Sequence, residues 1–92
     1  MTRLEEIDRE TAIVRGILDK WQLPSNVRGT DLEFGEDSNG EPAVWIWLTV
    51  DDELKPSDES IVGLNRFITN VRSDLLRAGL HYWPYVRFRP AP

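Results

Sequence analysis

The 92-residue chain contains no cysteine and a single histidine. Disulfides, thiolate nucleophiles, cysteine-ligated zinc and iron–sulfur clusters are therefore excluded, and so is a multi-histidine metal site within one chain. Long apolar runs are missing too. The longest, Ala43 to Leu48, is strand-sized, well short of the roughly 20 residues a membrane span requires. The N-terminus, Met-Thr-Arg-Leu-Glu-Glu, is acidic where a secretory leader is basic and then apolar, so a cytoplasmic protein is expected. Gly-x-Ser-x-Gly, Walker, GxGxxG and His-Glu-x-x-His patterns are absent, and no cofactor is expected.

What remains is an ordinary globular composition, 40% hydrophobic and 29% charged, sized for one small domain spanning residues 1–92. The net charge of −5 is unevenly distributed. Residues 31–61 hold ten acidic groups against Lys55, whereas residues 62–92 hold five arginines against Asp74. Such blocks either neutralise each other within one sheet or form separate faces that seek partners of opposite sign. In so short a chain all surfaces lie close together, which favours the first.

Local patterning predicts the element order α-β-β-α-β. Thr2 and Glu5 form a capping-box pattern, and Leu4, Ile7, Thr11, Val14, Leu18 and Trp21 draw one apolar stripe along a helix over about 3–22. Ser25 to Gly29 reads as a loop. Leu32 and Phe34 alternate with polar residues in a strand over 31–36, and Asn39-Gly40 marks a turn. The second strand, 43–50, sets Val44, Ile46, Leu48 and Val50 on one face and Trp45, Trp47 and Thr49 on the other. Ser57 caps a second helix over 58–78, whose stripe is Ile61, Leu64, Ile68, Val71, Leu75 and Ala78, widened by Phe67 and Leu76. Gly79 is a C-cap signal. A last strand over 82–89 turns Val86 and Phe88 toward the core, and Pro84 makes it an edge strand or delays its start. The expected fold is an α+β two-layer sandwich: a three-stranded sheet with both helices packed on one face. Whether the last strand joins the first or the second is left open. The order resembles a type II KH domain lacking one helix and its Gly-x-x-Gly loop.

Three kinds of function compete for these residues. The cluster Asp51, Asp52 and Glu53 at a strand end has the chemistry of a magnesium site for phosphoryl transfer, but it is more economically an acidic loop entering a helix. His81 follows a helix end, where it is expected to meet the last carbonyls rather than act as a base. Tyr82 to Arg89 interleaves aromatics with arginines as single-strand RNA binders do, but a pI near 4.7 opposes generic phosphate binding. Four tryptophans in so short a chain give protein association the stronger motive. If Val44, Ile46 and Leu48 meet the helices, Trp45, Trp47 and Tyr85 form a helix-free aromatic face with Arg87, and with Trp83 and Arg89 at its rim.

Trp45 to Asp52 and Trp83 to Arg89 resemble stretches of small prokaryotic proteins of toxin–antitoxin-like gene pairs. That resemblance implies a partner-binding protein of antitoxin type. It does not imply nucleotidyltransfer, because no Gly-Ser loop precedes the adjacent Asp51 and Asp52. The expectation is a non-catalytic module that binds a protein partner or dimerises, with no metal, membrane or cofactor.

Overall fold

The computed structural model describes residues 3–51 and 58–91; the side chains of 58–61 lie outside the description. Five elements follow in order: α1 (Arg3–Lys20), β1 (Val27–Glu36), β2 (Pro42–Val50), α2 (Asp58–Arg77) and β3 (Trp83–Pro90). The sheet order is β1-β2-β3, with β1 antiparallel and β3 parallel to the central β2. The question left open by the sequence is thus answered: the last strand joins the second.

The alternation of β2 sorts the molecule into two faces. Val44, Ile46 and Leu48 are sealed from solvent, and Ile46 and Leu48 share one core with Val14 and Leu18 of α1, with Leu64, Phe67, Val71 and Leu75 of α2, and with Val86 of β3. Both helices therefore cover the same side of the sheet. α1 leans over β1, where the Arg15 guanidinium donates to the Thr30 hydroxyl (2.8 Å) and carbonyl (3.3 Å). The C-terminus of α1 is tied to α2 through Asp74, which accepts the Trp21 indole N–H at 2.9 Å and the Lys20 ammonium at 3.2 Å. These two donors, Trp21 first, hold the Asp74 carboxyl below its ordinary value.

Several boundaries and facings differ from expectation. β1 starts at Val27 rather than at residue 31, because a bulge at Arg28 shifts the register between Val27 and Gly29 and turns Val27 back into the core. α1 ends at Lys20, and Trp21 leaves the helix to reach Asp74. Leu4 (74% exposed), in the first turn of α1, and Ala78, just past α2, lie outside the core, and so does Leu76 (52%), which is one residue beyond the buried Leu75 and therefore on the flank of α2 beside the edge strand β3. Phe88 is 46% exposed at the far end of an edge strand, not in the core. Both glycines read as turn or cap residues adopt positive φ, Gly40 at 77° and Gly79 at 67°. Thr2, Ser57, Asp52 and Glu53 lie outside the described residues, so the capping box and most of the acidic cluster do as well. Asp51 is described, and it pairs with Arg28.

Pro84 has a clear role at the edge. The Ala91 N–H reaches the Val50 carbonyl at 2.8 Å, so odd-numbered residues of β3 aim their backbone groups at β2 and even-numbered ones aim theirs outward. Pro84 and Pro90 are even-numbered and have no N–H to offer, while Arg87 caps the outward Val86 carbonyl at 3.1 Å. The edge is thereby blunted against strand addition.

Candidate interaction face on the sheet

Opposite the helices, the pairing register lays the odd-numbered side chains out in rows across the three strands. Going along the strands, the rows are Gly35–Ala43–Trp83, Glu33–Trp45–Tyr85, Asp31–Trp47–Arg87 and Gly29–Thr49–Arg89. All six residues singled out from the sequence therefore share one face: Trp45, Trp47, Trp83, Tyr85, Arg87 and Arg89.

The face is internally braced. Trp45 and Tyr85 stack across strands with ring centres 5.8 Å apart and planes 19° apart. Arg87 lies over Tyr85 at 5.1 Å and Arg89 over Trp47 at 5.7 Å. The Trp47 indole N–H donates to Glu33 at 3.1 Å, and Arg89 spans β2 to pair with Asp31. Each such stack or cation–π contact is worth on the order of 1 kcal/mol, enough to hold a ring in one rotamer. Trp45, Trp47 and Tyr85 are consequently half-buried with no helix above them, while Trp83, expected only at the rim, is the most exposed of the four tryptophans at 56%.

Trp83 stands between two shallow clefts of opposite character. One, about 340 Å³, is lined by Asp37, Glu41, His81 and Tyr85; the other, about 260 Å³, by Arg72, Leu76 and Arg87. Asp37 organises the β1–β2 turn. One carboxylate oxygen accepts the N–H groups of Asn39 (2.9 Å) and Glu41 (3.0 Å), and the other accepts the Tyr85 hydroxyl at 3.1 Å. The Glu41 N–H contributes most to holding this carboxyl below the ordinary 3.8, partial desolvation opposes it, and the Asn39 N–H and Tyr85 hydroxyl add to the lowering. Desolvation, and then the bond to Asp37, push the Tyr85 phenol above its ordinary 10.0. Because the folded pKa of Asp37 lies below its unfolded value, its stabilisation is complete above that unfolded value and is lost as the pH falls through the folded one. Asp37→Asn should therefore narrow the stability difference between pH 6 and pH 3, as read by urea unfolding at the two pH values.

Glu10 and Glu6 of α1, neither singled out from the sequence, hold the entry to β3 in place. Glu10, 1% exposed, accepts the backbone N–H of His81 at 3.1 Å and of Tyr82 at 3.0 Å, one on each carboxylate oxygen. The signal was a glutamate beside Thr11 on the apolar stripe between Ile7 and Val14. His81 meets the Glu6 carboxylate through Nε2 at 3.4 Å, not the last helix carbonyls, because its backbone is drawn over to α1 by Glu10. Tyr82 is buried and packs edge-on against Phe34, with ring centres 5.2 Å apart. Among the described residues no three metal-ligating side chains converge, and no helix is long and apolar enough to cross a membrane.

No family model matches the chain, no curated protein matches it in sequence, and no solved structure matches it in fold.

Proposed function

We propose that this protein is a non-catalytic association module whose contact surface is the helix-free face of its sheet. The observation that carries the reading is the braced, half-exposed row of Trp45, Trp47 and Tyr85 on a face that neither helix covers. Tryptophan, tyrosine and arginine are the usual anchors of protein interfaces. Rings already held by stacking and by Arg87 and Arg89 spare an interface the roughly 0.5–1.5 kcal/mol that ordering each such side chain costs. A protein surface suits this face better than a nucleic acid does. Trp45 and Tyr85 are stacked on each other, and Arg89 is engaged by Asp31, which leaves little for bases and phosphates. The antitoxin-like resemblance of the tryptophan-rich segments points the same way.

The reading is tested by Trp45→Ala and Trp47→Ala, measured by sedimentation for association and by circular dichroism for fold. Both variants should keep the helical signal and lose association by about tenfold or more, as expected for interface anchors. A variant that loses its helical signal would show these rings to be structural supports of the sheet instead.

A further inference from the structure

We infer that the occupant of this face is a second copy of the chain, docked sheet-on-sheet about a two-fold axis that runs parallel to the strands. The inference rests on the reading of the face as an association surface and specifies what covers it. It comes from the asymmetry of the face across the strands, in charge and in height.

Charge is the first asymmetry. The β1 side of the face carries Asp31 and Glu33, and the β3 side carries Arg87 and Arg89. Arg89 and Asp31 pair within the chain, but among the described residues Arg87 has no ion-pair partner and Glu33 bonds only to a neutral indole. The face therefore keeps an acidic border and a basic border on either side of a central tryptophan strand. A two-fold axis along the strands inverts left and right while preserving position along the strand. It sets the β1 border of one copy against the β3 border of the other, Asp31 against Arg87 of the partner subunit, and Trp45 and Trp47 against their own counterparts. An in-plane axis across the strands would instead set carboxylates against carboxylates and arginines against arginines, a cost of several kcal/mol.

Height is the second asymmetry, and it selects the same axis. Two of the four rows, those that end on Trp83 and Arg89 of β3, begin on a glycine of β1, Gly35 and Gly29. The two-fold axis along the strands lays Trp83 over Gly35 of the partner subunit and Arg89 over Gly29 of the partner subunit. Nothing in the monomer occupies the space a side chain at Gly29 would fill, and its φ is not positive, so neither packing nor backbone strain within the chain excludes a side chain there, whereas one at Gly35 would lie 3.4 Å from the Trp45 ring.

The alternative of joining edges is disfavoured. β3 is blunted by its prolines, and antiparallel self-pairing of β1 about Leu32 would place Asp31 opposite Glu33 of the partner subunit. Face-to-face sheets pack about 10 Å apart with strands aligned to within about 30°. Three strands about 4.8 Å apart and eight residues at about 3.3 Å give a backbone footprint of roughly 380 Å². That is below the roughly 800 Å² per partner of a standard interface, so the dimer should dissociate on dilution.

The test uses two single charge reversals, Asp31→Arg and Arg87→Glu, each checked for fold by circular dichroism. Alone, each variant opposes like charges twice per dimer and should self-associate at least ~10-fold more weakly than the unaltered chain. Mixed in equal amounts, the two variants restore opposite charges at both borders and should form a heterodimer near the original affinity. Gly29→Leu, which alters no charge, should weaken the dimer while leaving thermal stability unchanged or raised. Sedimentation velocity across a concentration series reads all four samples. Dimerisation that needs Trp45 and Trp47 but is not rescued by mixing would keep the face and overturn the axis. Dimerisation indifferent to Trp45→Ala would overturn both. A monomer at every concentration would overturn the second copy as the occupant, and the face itself would then be judged by tryptophan-dependent binding of a different protein.

Discussion

Replacing Glu10 with alanine is expected to cost about 3 kcal/mol of folding stability, a large share of the ~5–10 kcal/mol a domain of this size possesses. The carboxylate is 1% exposed and receives the His81 and Tyr82 N–H groups on separate oxygens. Truncation leaves both donors without a partner in a site closed by Tyr82 and Phe34, and adds the cavity of the lost side chain. Glu10→Gln keeps one carbonyl acceptor and should recover part of the loss. Urea unfolding of the two variants checks both statements. An alanine variant as stable as the original chain would mean that the entry to β3 is held by the Tyr82–Phe34 contact alone.

The second large effect is expected at Ile46, the central residue of the central strand. It is fully buried between the two helices, and Ile46→Ala should cost about 3–4 kcal/mol through lost transfer energy and residual cavity. Its neighbour Trp47 has a far larger side chain but points to the opposite, helix-free face. Trp47→Ala should cost about 1 kcal/mol, mostly the contacts with Arg89 and Glu33. The ordering is the informative part: the smaller truncation should be the more damaging one. Equilibrium urea midpoints of the two variants decide it, and the reverse order would mean that Trp47 belongs to the core.

Much of this arrangement is written in short-range pattern. The period-two alternation of β2 separates Ile46 from Trp47, and the three-four stripe of α2 picks out Leu64, Val71 and Leu75, because each is fixed by backbone geometry within a few residues. The rows of the candidate face needed one further fact, the parallel pairing of β3 with β2, which no local pattern carries. The misreadings share a cause. Val27 to Thr30 looks like a loop because the bulge at Arg28 breaks the alternation just where the strand begins. Phe88 and Leu4 are apolar at core-compatible positions near element ends that are not covered, and Leu76 is on the flank of α2, one residue round from the buried Leu75. Glu10 acts 71 residues away, on a segment with no sequence relation to it. The charge blocks also cross over: Arg89 of the basic block pairs with Asp31 of the acidic one, and Asp51 of the acidic block pairs with Arg28, so part of the surplus is settled inside the fold. On the helix-free face, Arg87 at one border and Glu33 at the other are left without an ion-pair partner among the described residues.

The most direct test of the central claim, that the helix-free face joins two copies, exploits the absence of cysteine from the chain. A single thiol is introduced either by Thr49→Cys, in the end row of the face on its central strand β2, where the axis along the strands sets it opposite its own counterpart, or by Thr69→Cys, on the exposed side of α2. Each variant is then treated with a short thiol-to-thiol cross-linker at several protein concentrations. A covalent dimer is expected from Thr49→Cys, falling away on dilution, and monomer from Thr69→Cys. Equal cross-linking from both positions, or dimer from Thr69→Cys alone, would contradict it.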